Sequence, residues 1–161
     1  MKAQLWSLDF AASVVIFFFA VGLLIFFFNH YVSQSYEQSE FIEMQEIAIK
    51  TSDALVRFPG IPSDWGANNV TTLGLASQEN VLDSGKLTAF ISMDVEKART
   101  LLVGPYQFYF ELSYLNDTIA QVNGTNATIG ALPTAANVTV PITRYVIYEN
   151  QFAQAQLIVW R

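Results

Sequence analysis

Eighteen consecutive residues near the start of the chain, from Ala11 to Phe28, carry no charge and are almost all apolar. As an α-helix this run would be about 27 Å long, close to the ~30 Å hydrocarbon core of a bilayer. The run is longer than the apolar region of an ordinary secretory signal, and no small-x-small cleavage motif follows it. It therefore predicts a membrane-spanning helix that stays attached to the rest of the chain.

Charges on either side of this run predict its orientation. Lys2 precedes it, whereas no Lys or Arg follows until Lys50. Cytoplasmic flanks of membrane helices carry an excess of Lys and Arg. We therefore expect a cytoplasmic N-terminus and an outward-facing remainder. The acids that follow the run are Glu37, Glu40, Glu43 and Glu46.

The residues before the apolar run carry a recognisable motif. Lys2-Ala3-Gln4-Leu5, followed directly by an apolar run, resembles the class III signal peptide of archaeal type IV pilins and related pilin-like proteins. This resemblance implies that residues 1–3 are a leader, which prepilin peptidase removes between Ala3 and Gln4 on the cytoplasmic side of the membrane. It also implies that the apolar run, about residues 5–28, is kept and becomes the core of a filament of identical or related pilin subunits.

Asp9 is the unusual residue at the front of this run. Pilins commonly carry a carboxylate, usually glutamate, at the fifth residue of the mature helix, whereas Asp9 is the sixth residue counting from Gln4. A carboxylate in an apolar medium costs roughly 2.5–3.5 kcal/mol and needs a partner. The resemblance implies an assembly role in which Asp9 pairs with the Gln4 ammonium of a neighbouring subunit. Alternatively, Asp9 lies among lipid headgroups, near the positive end of the helix dipole.

The helix is expected to continue beyond the membrane. Apolar residues recur every three or four positions up to residue 58, which indicates one helix face, and Pro59-Gly60 then ends the helix. The sequence thus predicts a long helix over residues 4–58, either continuous or broken around Asn29 to Ser39 where Ser and Asn accumulate, and an extracellular head over residues 59–161. The predicted face comprises Phe41, Met44, Ala48, Thr51, Leu55 and Phe58, and the wetter side includes Glu40, Glu43, Gln45 and Glu46.

Alternating residues predict a β-sheet in the head. Tyr106 to Tyr114 place aromatic and apolar side chains on one face and more polar ones on the other, and Glu149-Asn150 fits a hairpin turn. Pro141 predicts a sheet edge or a bulge. The expected fold class is therefore α+β, and the resemblance implies a type IV pilin-like arrangement with the long helix packed on a small antiparallel sheet. Further predicted strands are Thr118 to Val122, Asn137 to Val140, Ile142 to Tyr148 and Phe152 to Trp160.

The segment between the long helix and the sheet predicts two short helices, capped by Asp83 and Ser92, and a packing role for Trp65. From Arg57 to Leu112, the order Pro-Gly-x-Pro-x-x-Trp, Leu-Gly-Leu-Ala, Val-Leu-Asp, Lys-Leu and Tyr-x-Phe-Tyr-Phe-Glu-Leu resembles archaeal proteins that carry class III signal peptides. This second resemblance supports the pilin-like interpretation and implies no active site.

Glycan acceptor motifs are more frequent than expected by chance. The chain has nine asparagines, and its content of Ser and Thr would give about one Asn-x-Ser/Thr motif by chance. Five such motifs are present, which predicts glycosylation and agrees with an outward-facing head. The alternative is a turn-rich region in which Asn and Thr are common for conformational reasons. The acceptors are Asn69, Asn116, Asn123, Asn126 and Asn137.

Composition argues against several functions. The net charge is −6, so a nucleic-acid partner, which needs clustered Lys and Arg, is not expected. There is no cysteine, and the single histidine, His30, lies at the predicted membrane edge. No catalytic or metal-binding spacing is present, so we expect neither an enzyme nor a cofactor.

These observations predict a structural subunit, major or minor, of an archaeal type IV-like surface filament that serves attachment. The subunit would reside in the cell membrane before assembly and in an extracellular filament afterwards. The alternative is a monomeric, signal-anchored ectodomain that binds a surface ligand or an envelope sugar.

Overall fold

The computed structural model describes the backbone of residues 2–161 and the side chains of residues 9–32 and 39–161. The fold is α+β and divides into two bodies, one extending up to residue 41 and the other, the head, comprising Ile42–Arg161. The elements are α1 (Lys2–Arg57), β1 (Ala76–Gln78), β2 (Val81–Leu82), α2 (Ser84–Ile91), α3 (Val95–Leu102), β3 (Gln107–Tyr114), β4 (Gln121–Val122), β5 (Thr125–Asn126), β6 (Thr128–Gly130), β7 (Thr139–Tyr148) and β8 (Gln151–Trp160).

The first body is helical and contains the apolar run. The segment Asp9–Val32 has 24 residues and is long and apolar enough to cross a membrane, as a membrane anchor or a signal sequence would be. None of its side chains is buried within the chain. A helix that is apolar on all sides requires an apolar environment around it, because it has no polar face to present to water.

Residues Ile42–Arg57 of α1 belong to the head and are amphipathic. Met44, Ala48 and Leu55 of the predicted face are buried. The predicted face is wrong at its two ends, because Phe41 is 43% exposed and Phe58 is 61% exposed. Phe41 precedes the head, and Phe58 follows the last helical residue, so neither lies where the helix packs on the head. Ser52 and Val56 are also buried, and the predicted wetter side is exposed.

The predicted end of α1 at Pro59-Gly60 is confirmed. Gly60 adopts a φ of 85°, which favours glycine, and turns the chain away from the helix axis. Trp65 is buried, and its Nε1–H donates to the carbonyl oxygens of Pro59 at 3.0 Å and Gly74 at 2.9 Å. The indole therefore joins the connector to the segment around Gly74, as the predicted packing role requires.

The main sheet has six strands in the order β1-β2-β7-β8-β3-β6. The prediction of an antiparallel sheet is wrong for one pair, because β2 runs parallel to β7 with Val81 opposite Ile147, which makes the sheet mixed. The Ile147 N–H donates to the Asn80 carbonyl at 2.8 Å, so the link depends on a residue just before β2. Strands β4 and β5 form a separate two-stranded sheet.

Strands β7 and β8 form the longest hairpin. The predicted turn is confirmed, since Glu149 and Asn150 both adopt positive φ, 49° and 65°, as a two-residue type I′ turn requires. The two predicted strands around Pro141 are instead one strand, β7. Its N–H groups at odd-numbered positions point away from β8, as the Ile147 bond shows, so Pro141 removes no bond from the β7–β8 ladder.

The alternation predicted for β3 is confirmed. Phe108, Phe110 and Leu112 are buried, and the Phe110 ring meets Phe90 of α2 edge to face with centroids 5.3 Å apart. Asp83 caps α2 as predicted, accepting from the Lys86 N–H at 2.9 Å.

The predicted cap of α3 is wrong. Ser92 is the C-terminal cap of α2, and its hydroxyl donates to Thr88 O at 2.9 Å. Asp94 caps α3 instead, accepting from the Lys97 N–H at 3.0 Å. A carboxylate one residue before the helix reaches this N–H, whereas Ser92 is still occupied by the preceding helix.

Candidate functional site

The apolar helix exposes many phenylalanine side chains. Seven phenylalanines between Phe10 and Phe28 are each 63–72% exposed. Burying one such side chain is worth about 1.5–3 kcal/mol, so leaving seven in water would forfeit a sum comparable to the ~5–15 kcal/mol stability of a whole domain. This segment therefore requires cover from lipid or from other chains.

Asp9 is the first residue of the apolar span, and its side chain is exposed. The Ser13 hydroxyl donates to the Asp9 backbone carbonyl at 2.8 Å, which leaves the Asp9 carboxylate out of that bond. The predicted cleavage residues Ala3 and Gln4 have helical backbone, but their side chains lie outside the described ones, as does Met1 altogether. The Asp9–Gln4 pairing joins two copies, so it stays a prediction.

All five acceptor asparagines are exposed, as glycosylation requires. Asn116 Oδ1 accepts from the Thr118 N–H at 3.1 Å, and Asn69 Oδ1 accepts from the Gly66 N–H at 2.6 Å. Asn123 lies in the turn between β4 and β5 with a φ of 51°, and Asn126 pairs with Gln121 across that hairpin. The Asn137 backbone N–H donates to the carbonyl of Arg161 at 3.0 Å.

Two of these asparagines line clefts of different chemistry. The first, the Asn116 cleft, has a volume of about 440 Å³ and is lined by Tyr114, Leu115, Asn116, Thr118, Gln151 and Phe152. The second, the Asn123 cleft, has a volume of about 350 Å³ and is lined by Thr88, Ile91, Ser92, Val122, Asn123 and Thr125. Only the Asn116 cleft has aromatic rings among its lining residues.

Sequence reasoning missed the Asn116 cleft. Tyr114 stands two residues before Asn116 in the sequence. Phe152 is far along the chain and lies near Asn116 only because β3 pairs with β8. The register Tyr114 to Ala153 places Phe152 beside the end of β3. The signal in the sequence was a phenylalanine, Phe152, at the start of a predicted strand.

A polar contact holds the amphipathic half of α1 to β7. Arg144 Nη2 lies 3.1 Å from Asp53 Oδ1, and Arg144 Nε donates to the Ser52 hydroxyl at 3.2 Å. The Thr51 hydroxyl donates to the Leu102 carbonyl at 2.8 Å, which joins the same helix to the end of α3. These bonds fix this part of α1 within the head and give Asp53 a charged partner.

Two tyrosines of the head, Tyr109 and Tyr148, have raised pKa values. Burial, together with the hydrogen bond to Glu111 at 2.7 Å, raises the pKa of Tyr109 to about 12. Burial, with the nearby charge of Glu149, also raises the pKa of Tyr148 to about 12. Both phenols therefore stay protonated at neutral pH. Within the part of the chain that the structure describes, no group of three His, Cys, Asp or Glu residues could hold a metal ion.

Comparisons with known proteins give no relative. No family model, no curated protein and no solved structure matches the chain.

Proposed function

We propose that this chain is a structural, pilin-like subunit of an archaeal type IV-like surface filament. The leader of residues 1–3 is removed by prepilin peptidase, the apolar helix first resides in the membrane and then packs against the helices of other subunits, and the head faces outward. Attachment to surfaces is the proposed role of the filament.

The observation that carries this proposal is the apolar helix. Its phenylalanines cover every side, so lipid can cover it in one subunit and neighbouring helices can cover it in a filament. A plain anchor would need only the first of these environments. The Lys2-Ala3-Gln4-Leu5 motif adds the second, because its resemblance to class III signal peptides implies a peptidase that leaves the helix in place.

The head supports the same proposal. It has its own core and contains the amphipathic part of α1, so the subunit does not need the apolar helix to build its head. Its five exposed acceptor asparagines suit a surface that meets the cell exterior. We include glycosylation of the head, by the host that makes the filament, in the proposed function.

The deciding experiment is to identify the mature N-terminus. We expect mass spectrometry of sheared surface filaments to find this chain starting at Gln4. Ala3→Leu should block cleavage by enlarging the small residue, while membrane insertion survives because the apolar run is unchanged. Ala12→Leu is the matched control, since it makes the same change inside the run and should mature normally.

Two outcomes would contradict the proposal. Equal maturation of Ala3→Leu and the natural chain would reject the cleavage site. An intact Met1 on a chain that is found only in the membrane fraction would instead support the monomeric, signal-anchored ectodomain.

A further inference from the structure

We propose that a glycan attached to Asn116 lies in the aromatic cleft beside it and stabilises the head. The ligand is thus a sugar of the chain's own glycan, whose pyranose ring offers an apolar face of C–H groups. The inference rests on the proposed outward-facing, glycosylated head and names the one acceptor at which the glycan becomes part of the folded structure.

The loop that carries Asn116 is held in a defined conformation. The Asp117 N–H donates to the Tyr114 carbonyl at 3.0 Å, and the Tyr114 N–H donates to the Thr118 carbonyl at 2.8 Å. Asp117 adopts a φ of 61°, and Ser113 pairs with Ile119 across the loop. This is a three-residue hairpin loop, a turn followed by one left-handed residue, and it fixes the direction in which Asn116 points.

The amide of Asn116 is oriented for attachment. Its Oδ1 accepts from the Thr118 N–H at 3.1 Å, so the carbonyl end of the amide is turned toward the loop. The Nδ2 group, to which an N-linked glycan would be joined, is the other end of the same planar amide. Asn116 is exposed, and it is itself one of the residues that line the cleft.

The cleft offers an apolar surface that the chain leaves uncovered. Phe152 is 67% exposed and Leu115 is 55% exposed, and Tyr114 and Gln151 complete the lining around them. The C–H face of a pyranose can pack on such rings while its hydroxyls stay in water, as amphipathic ligands do in sites with few polar groups. Covalent attachment at the rim makes this contact intramolecular, so even a weak contact would be occupied.

The size of the surface favours a sugar over a protein partner. A stable protein interface buries about 1,200–2,000 Å² in total. The large exposed apolar side chains of this cleft are Phe152 and Leu115, which together fall far short of such an area. A sugar needs much less surface than a protein partner, which suits a small cleft with a volume of about 440 Å³.

The Asn123 cleft provides an internal control. Its lining has threonines, a serine and two aliphatic residues, and no aromatic ring. Asn123 also lies in a turn and is exposed, so it shares the accessibility of Asn116. A glycan there should leave the stability of the head nearly unchanged, because it lacks a ring to pack on.

The test compares four forms of the full chain, purified in detergent from the host that makes it: natural, Asn116→Gln, Phe152→Val and both together. Valine keeps the preference for a strand while removing the ring. We expect each single variant to lower the melting temperature of the head, followed by near-ultraviolet circular dichroism, by about 3–5 °C. The double variant should be no less stable than either single variant, because both changes remove the same contact. Asn123→Gln should shift it by about 1 °C or less.

The same measurement after enzymatic removal of glycans separates this role from ordinary packing. Phe152→Val should then be neutral, because the ring is exposed in the bare chain. An equal loss in the deglycosylated chain would make the ring structural and overturn the inference. Additive losses in the double variant would overturn it as well.

Glycopeptide mapping keeps this inference distinct from the filament proposal. A chain that starts at Gln4 and carries no glycan at Asn116 overturns the inference and leaves the filament intact. An intact Met1 with a glycan at Asn116 rejects the filament and leaves the inference standing. Binding of free polysaccharide to Asn116→Gln, lost when Phe152 is also changed, would make the cleft a receptor for external sugar and would overturn the inference.

Discussion

The two parts of α1 differ in how their side chains are buried, although they belong to one helix. Between Asp9 and Val32 the helix is apolar all round and buries no side chain in the chain itself. Between Ile42 and Arg57 it buries Met44, Ala48 and Leu55 and exposes a polar side. The difference indicates whether each part packs against the same chain or against something outside it. A periodic pattern indicates a partner within the same chain, whereas an unbroken apolar run indicates a partner outside it.

The largest effect on the head is expected from Phe110→Asp. Phe110 is 1% exposed and packs on Phe90, so a carboxylate there has neither water nor a partner. We expect a loss of more than about 4 kcal/mol, enough to unfold the head of the full chain in detergent. Loss of near-ultraviolet circular dichroism, with membrane insertion preserved, is the readout.

Phe152→Asp is the matched control, because it makes the same change at an exposed strand position. It should cost about 1 kcal/mol or less. A Phe110→Asp head as stable as the Phe152→Asp head would show that the two faces of the sheet are assigned wrongly.

A smaller loss of head stability is expected from a substitution that compares the two bodies directly. Phe108→Ala, at a buried position of β3, should lower the free energy of unfolding of the head by about 3–5 kcal/mol. Phe18→Ala makes the same change in the apolar helix, where the ring is 67% exposed, and should leave head unfolding unchanged. Urea unfolding of both full-length variants in detergent provides the comparison. Similar losses in the two variants would mean that the apolar helix contributes to head stability.

The smallest effect on the head is expected from Asp9→Ala, which should not alter its unfolding at all. In the proposed filament, however, this change would leave a neighbour's Gln4 ammonium buried without its partner. Removing one member of a buried pair costs about 3–5 kcal/mol, so we expect at least about tenfold depletion of the variant from sheared filaments, with normal insertion and cleavage. Asp9→Glu should be milder because it keeps the charge.

Ser13→Ala controls for this test, since it removes only the hydroxyl that bonds to the Asp9 backbone. It should enter filaments like the natural chain. Equal incorporation of Asp9→Ala would favour the interfacial interpretation of Asp9.

Local patterns were sufficient to predict much of the fold. The end of α1, the cap at Asp83, the alternation in β3 and the turn at Glu149-Asn150 each depend on residues that are adjacent in sequence. Such features follow from the preferences of a few neighbouring residues, so one sequence displays them.

Features that depend on distant residues were missed. The parallel pairing of β2 with β7 rests on one residue pair, Val81 opposite Ile147, and a strand of two residues gives no usable pattern. The Asn116 cleft forms only because the β3–β8 register places Phe152 next to the end of β3. For the candidate site, the acceptor asparagines were found by motif, but their surroundings became visible only with the fold.

Pro141 has a consequence for crowded copies of this protein. β2 pairs with β7 only at Ile147, so the outward row of β7 from Thr139 to Tyr145 has no strand beside it in the described chain. Another copy could add a strand to such a row and begin aggregation. Pro141 has no N–H and so removes a donor from the middle of that row, while the β7–β8 ladder stays complete. The missing donor makes it harder for a strand of another copy to pair with this row when heads lie close together.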